Sequence, residues 1–128
     1  MKKLTLLLLL LVSTSVFAEW TKVSGTDDVT TYVDYGTIKR KGNKVKMWSL
    51  YDFKTIQRWG NSSFLSQINH IEFDCEEEAE RNLDYFLYLG NQGGGEVVYS
   101  QTNRKYETSS IIPGSIGETN FKIACDKK

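Results

Sequence analysis

The sequence predicts an α+β chain that is mostly β, with strands first and a single helix at the C-terminus. Three observations carry this. The stretch "TIKRKGNKVKMWSLYDF" sets Gly42-Asn43 between two extended runs, a two-residue connection that closes hairpins because glycine supplies positive φ. In "QINHIEFDC", Ile71, Phe73 and Cys75 alternate with His70, Glu72 and Asp74, the period of a strand with one buried face. In "IIPGSIGETNFKIAC", Ser115 stands three residues ahead of Glu118, the capping-box spacing, and Pro113 sits just before it, where no helical N–H is needed.

Ahead of these elements lies an export leader. Lys2 and Lys3 precede a nearly unbroken apolar run from Leu4 to Val12, and Val16-Phe17-Ala18 supplies the small-x-small site of a signal peptidase. The run is about half of the roughly 20 residues that span a bilayer as a helix, so a membrane-spanning anchor is not expected. Residues 1–18 read as a cleaved signal peptide and residues 19–128 as one domain, placed in the periplasm or secreted. A bacterial lipoprotein would carry cysteine directly after the cleavage site, and Glu19 stands there.

The elements of the mature chain follow in order. "EWTKVSGTDDVTTYVDYGTI" gives a short strand around Trp20 to Val23, a turn at Gly25 to Asp28, and a strand from Val29 to Val33. In the strand after Gly42-Asn43, Val45, Met47, Ser49, Tyr51 and Phe53 share one face, and Lys46, Trp48, Leu50 and Asp52 the other. Trp48 and Leu50 predict that this second face is partly covered too. "KTIQRWGNSSFLSQ" reads as a loop, because Gly60-Asn61-Ser62-Ser63 interrupts the pattern.

Residues 76–88 read two ways. As a helix, Ala79, Leu83, Phe86 and Leu87 form one face, with Glu76 to Glu78 at the positive N-terminus. As a strand, Ala79, Leu83, Tyr85, Leu87 and Leu89 point inward, interrupted by Arg81, while Glu78, Glu80, Asn82 and Asp84 point outward. Propensity favours the helix; periodicity does not separate the two. "GNQGGGEVVYSQTN" is a glycine-rich turn into a strand at Glu96 to Ser100, and not a phosphate loop, since Val97, Val98 and Tyr99 stand where Gly-Lys-Ser/Thr and a helix would be needed. A helix from about Ser115 to Cys125 ends the chain.

Sixteen basic and sixteen acidic residues balance, and with Lys2 and Lys3 removed the mature charge is about −2, which argues against a nucleic-acid partner. Cys75 and Cys125 are the two cysteines of a chain bound for an oxidising compartment, so a disulfide between them is expected. With His70 the one histidine, no Ser-His-Asp or Cys-His constellation and no His-rich metal site is visible, and neither an enzyme nor a cofactor is expected. His70 reads as an exposed surface histidine. Asp27-Asp28 and Glu76-Glu77-Glu78 read as turn and surface residues in preference to paired catalytic acids or calcium ligands.

What remains is binding. Lys39, Arg40, Lys41, Lys44 and Lys46 gather at one hairpin tip, a candidate contact for a protein or a sulfated glycan, with Trp48 and Trp59 as candidate aromatic area beside it. An exposed sheet edge offers a second copy of the chain a route to a homodimer.

Several short motifs recur in one order: Tyr-Val-Asp at 32 to 34, Trp-x-Leu-x-Asp at 48 to 52, Phe-Asp-Cys at 73 to 75, and Pro-Gly-Ser-Ile-Gly-Glu at 113 to 118 ahead of the last cysteine. By these the chain resembles the surface-adhesin protein E family, small exported bacterial proteins, from about Trp20 to Cys125. The resemblance implies a single antiparallel sheet of about six strands, with the C-terminal helix packed on it and the Cys75 strand joined to that helix by the disulfide. It implies that residues 78–88 continue as a strand, and it offers the helix as the cover for Trp48 and Leu50. For function it implies a non-enzymatic binding protein directed at host matrix proteins such as vitronectin and laminin. The alternative is a periplasmic envelope factor or an inhibitor of a hydrolase, with "GNQGGG" or "RWGNSS" as the inserted loop. A small apolar ligand held against Trp48 and Tyr51 is a third reading.

Overall fold

Two Gly-Asn dipeptides set the long hairpins of this chain. In the computed structural model, which describes residues 18–102 and 107–126, Gly42 (φ 63°) and Gly60 (φ 59°) each open a two-residue turn between long strands. The strands are β1 (Thr21–Gly25), β2 (Val29–Lys41), β3 (Lys44–Trp59), β4 (Ser62–Asp74), β5 (Ala79–Tyr88), β6 (Val97–Gln101) and the two-residue β7 (Ser109–Ser110). One helix, α1 (Ile116–Cys125), follows. Residues 1–17 of the predicted leader (1–18) lie outside the described residues.

The strands pair antiparallel in the order β1-β2-β3-β4-β5-β6, with β7 on β5. This is the predicted antiparallel sheet, corrected first in one segment. Residues 54–67, expected as a loop, are the end of β3, a tight turn and the start of β4. The reason is a long bulge: Asp52 pairs with Ser66 and Gln57 with Phe64, so Phe53 to Ile56 face a single residue and the alternation is lost there.

Residues 79–88 are a strand, β5, and residues 75–78 are a turn, so the strand expected from residue 78 begins one residue later. The pairing offered on both sides by β4 and β6 outweighs a helical propensity worth at most a few tenths of a kcal/mol per residue. The turn that enters β5 is fixed by Asp74, whose Oδ1 accepts the N–H groups of Glu76 (3.1 Å) and Glu77 (3.0 Å). A bulge at Leu83 then inverts the predicted facing: His70 pairs with Asp84 but Ile71 with Asn82. N-terminal to the bulge, Glu80 and Asn82 therefore turn to the face of Phe73 and Ile71, and Ala79 and Arg81 to the face of Glu72.

Helix α1 begins as the capping box predicts, with Ser115 Oγ accepting the Glu118 N–H at 3.2 Å. The Glu118 carboxylate accepts the Gly114 N–H (3.3 Å), one residue beyond the Ser115 N–H of the ideal reciprocal bond. Phe121, Ala124 and Cys125 pack on Val33, Val45, Met47, Ile71 and Phe73, and the Phe73 and Phe121 rings lie 6.1 Å apart. The Cys75–Cys125 disulfide joins the end of β4 to the end of the helix. The helix thus covers the Val45/Met47 face of β3, and Trp48 and Leu50 lie on the opposite one. That corrects the expectation that the helix would cover them.

Candidate functional site

Cross-strand partners in an antiparallel sheet share a face, so the register alone lays out the surface opposite the helix. One row across β2, β3, β4 and β5 reads Asp34, Trp48, His70, Asp84; the next reads Tyr32, Leu50, Ile68, Phe86. On the other side of the first row, Lys39, Lys46, Glu72 and Arg81 follow, and then Lys41, Lys44, Asp74 and Ala79. The result is an aromatic row between an apolar row and a charged one.

Trp48 and His70 are directly opposite, and their rings stack 4.4 Å apart at an interplanar angle of 3°. His70 Nδ1 lies 3.1 Å from Asp84 Oδ2; a carboxylate only accepts, so the pair holds a proton on Nδ1. Phe86 extends the plate, its ring 6.3 Å from that of Trp48. His70 was expected to be an exposed surface residue. It is half-buried instead, because the flat indole beside it takes up one of its faces.

The five basic residues do not form one surface. Lys39 pairs with Lys46 and Lys41 with Lys44, all four on the aromatic face, while Arg40 pairs with the buried Val45 and turns to the helix side. There its Nη2 donates to the Cys125 carbonyl at 3.2 Å and lies 3.8 Å from Cys75 Sγ. Among the described residues, only Lys44 of the four lysines has a carboxylate in ion-pair range, Glu72 at 3.8 Å, and Glu72 is held more closely by Arg81 at 2.9 Å. Trp59 is half-exposed against Tyr99 at the far end of β3 from Lys44, so it does not join the lysines.

The glycine-rich segment does not protrude. Asn91 and Gln92 donate to the Asp52 carboxylate at 2.8 to 3.0 Å, and Ser66 Oγ donates to the Gly90 carbonyl (2.6 Å) while accepting the Gly93 N–H (2.9 Å). The loop is laid over Ile68, beside Leu50, and forms the cover on that side that the sequence called for. "RWGNSS" is a hairpin turn.

Trp48 and Tyr51 stand on opposite faces, so no pocket joins them. Tyr51 is on the helix side, where burial, and after it the charge of Glu80, push its hydroxyl up to about 12. Its hydroxyl lies 3.5 Å from the Asn120 amide. Burial likewise raises the Glu80 carboxyl above its ordinary value, beside the first turn of α1 at Gly117. A separate cavity of about 140 Å³ is lined by Glu78, Ile111, Pro113, Glu118, Phe121 and Lys122. Among the described residues no group of three or more His, Cys, Asp or Glu side chains is placed to hold a metal ion. Sequence reasoning missed the row Asp34, Trp48, His70, Asp84; its members are far apart along the chain, and the Leu83 bulge that brings Asp84 onto it leaves no periodic signal.

The fold and this face define a class: an antiparallel meander stapled to one helix by a disulfide, with an open aromatic and charged face on the other side. The chain belongs to the surface-adhesin protein E family, whose model matches residues 20–126. Its fold is similar to crystal structures of Haemophilus influenzae protein E. One crystal form matches with a TM-score of 0.66 and 14% identity over 89% of this chain and 92% of that one. The protein from a non-typeable strain matches at 0.61 and 15% over 89% and 80%. No curated protein matches the chain by sequence.

Proposed function

We propose that this is an exported, non-enzymatic binding protein of the adhesin type, and that it meets a host matrix protein through the helix-free face of its sheet. The observation that carries the reading is the Trp48–His70 plate with Lys39, Lys41, Lys44 and Lys46 beside it. Aromatic area next to a charged rim is the composition of protein-binding surfaces. The family name, surface-adhesin protein E, supports the same direction. Lysines and carboxylates alternate here, with Glu72 and Asp74 in the lysine rows and Glu76 to Glu78 at the adjoining turn. Such a mixed rim favours a protein surface over a sulfated glycan, which needs an uninterrupted cationic track.

Export into the periplasm or beyond follows from the leader. Among the described residues no helix is long and apolar enough to cross a membrane. The outer edges of β1 and β6 support pairing with a second copy, which sedimentation would detect. The inhibitor reading loses "GNQGGG" as its inserted loop, since that loop is tied to Asp52 and Ser66.

The test is capture from matrix extracts and from the producing cell's envelope lysate. The baits are the chain from Glu19, a Lys39, Lys41, Lys44 and Lys46 to Ala variant, and Trp48→Ala checked for folding by circular dichroism. Arg40 is kept, because it holds the helix. Matrix proteins retained by the parent and weakened tenfold or more by either variant support the reading. Capture of an envelope protein alone, indifferent to both changes, would replace it with a periplasmic factor.

A further inference from the structure

The N-terminal end of the fold rests on a carboxylate. Asp34 is 9% exposed; its Oδ1 accepts the Gly36 N–H at 3.0 Å, and its Oδ2 accepts the backbone N–H of Glu19 at 3.3 Å. Ala18 and Glu19 are exposed, and Trp20, the next residue, is both half-buried and the first residue of the family match. The leader's small-x-small site is Val16-Phe17-Ala18. The peptide bond that this site offers to the peptidase is therefore the one whose nitrogen faces Asp34.

We propose that cutting Ala18–Glu19 converts this amide donor into an α-ammonium held by Asp34, so that export processing itself completes the N-terminal anchor of the sheet. The inference rests on the export reading above. A membrane-bound signal peptidase supplies the catalysis and water the reactant. The water's hydroxyl joins the Ala18 carbonyl carbon and its hydrogen joins the Glu19 nitrogen. At neutral pH the new acid releases one proton and the new amine takes one up. The leader leaves as a carboxylate and the body begins with a cation. A charge-assisted N–H···O bond is roughly twice as strong as a neutral one.

The need for that cation is visible around Asp34. A nearly buried carboxylate calls for a compensating charge, and in the uncut chain Asp34 has two amide donors and, among the described residues, no cation in ion-pair range. The titratable groups nearest to it on the same face by the register are Lys22 on β1 and its partner Tyr32, Lys39 and Lys46 further along the hairpin, and His70 and Asp84 beyond Trp48, with Glu72 and Arg81 in the row of Lys39 and Lys46. Lys22 runs its side chain toward Gly25, away from Asp34.

The experiment compares the chain beginning at Glu19, released from a fusion without added residues, with the same chain N-terminally acetylated, each with and without Asp34→Asn. Acetylation keeps the N–H and removes the charge; Asn keeps the oxygen that Gly36 needs. Nuclear magnetic resonance titration of the Glu19 α-amino group should show its pKa raised by about half to one unit above the ordinary 7.7–8.0, and Asp34→Asn should remove the shift. A raised folded-state pKa stabilises below the unfolded value and is lost above the folded one. The Tm advantage of the free over the acetylated chain should accordingly be full below about pH 7.5 and vanish by about pH 10. Equal titration with and without Asp34, or a Tm indifferent to acetylation from about pH 6 to 10, overturns the pairing. The intact mass of the exported chain should correspond to a start at Glu19. A retained leader overturns the processing step and the export reading with it, another start overturns the processing step alone, and the titration of the Glu19 chain tells both failures apart from a failed pairing.

Discussion

Arg40 and Cys125, 85 residues apart in sequence, are joined by a hydrogen bond from the Arg40 guanidinium to the Cys125 carbonyl at 3.2 Å. The acceptor is one of the orphan carbonyls at the end of α1, where the helix dipole is negative and a cation is favoured. The same guanidinium donates to the Gly42 carbonyl in its own hairpin turn, so one side chain ties the β2–β3 tip to the helix and its disulfide. Arg40→Ala should lower stability by about 1 kcal/mol, a Tm drop of roughly 4–8 °C, and Arg40→Lys should recover only part, since an ammonium lacks the planar fork. Matrix capture by the folded variant should be unchanged; a variant with wild-type Tm and lost binding would return Arg40 to the binding surface.

The disulfide closes a loop with a sequence separation of 50 residues. On the chain-entropy account, Cys75→Ser with Cys125→Ser should cost about 4 kcal/mol, measurable as a fall in the denaturant midpoint at an unchanged native near-ultraviolet spectrum. A double variant that keeps its midpoint and loses binding would show the bond to serve the site and not the fold.

The glycine-rich loop depends on Gly93, at φ 70°, whose added Cβ would meet the Ile68 Cδ1 at 3.0 Å. Gly93→Ala combines a strained backbone with a contact against Ile68 and should cost about 1–3 kcal/mol. Ser66→Ala removes both loop bonds at once and should cost about 1–2 kcal/mol. In hydrogen exchange both variants should lose protection at residues 90–95 before the sheet does; protection lost uniformly across β3 and β4 would contradict a local role.

Glu80 supplies a pH dependence. Burial raises its carboxyl in the folded chain above the ordinary 4.5, so its protonated form is favoured by folding. The contribution is present below the unfolded pKa and lost as pH rises through the folded one. Glu80→Gln should therefore raise Tm at pH 7, and the gain should shrink toward zero below about pH 4.5. A gain that is the same at both pH values would mean that the charge of Glu80 is not what is penalised.

Much of the sheet was legible in sequence because its signals are local. Gly42-Asn43 announces its turn, Ile71, Phe73 and Cys75 their buried face, and Ser115 with Glu118 the start of the helix. The second Gly-Asn turn, at residues 60–61, was hidden by the bulge at Phe53 to Ile56, which removes the alternation that would have marked a strand on each side of it. The lysines were legible as a group, but the separation of Arg40 from them was not, since adjacent strand residues point to opposite faces and only the register tells which face meets the helix.

By itself the sequence determined the two-residue turn at Gly42-Asn43, the capped C-terminal helix and the expectation of one disulfide. Each follows from residues next to one another or, for the disulfide, from there being two cysteines. Only the tertiary structure decided that residues 79–88 are a strand, that α1 covers Val45 and Met47 in place of Trp48 and Leu50, and that Asp34, Trp48, His70 and Asp84 stand in one row. The physical reason is that local energies are small and nearly degenerate in "EEEAERNLDYFLY". The choice falls to hydrogen-bonding partners on β4 and β6 and to one extra residue, Leu83, whose bulge sets which side chains meet across the sheet.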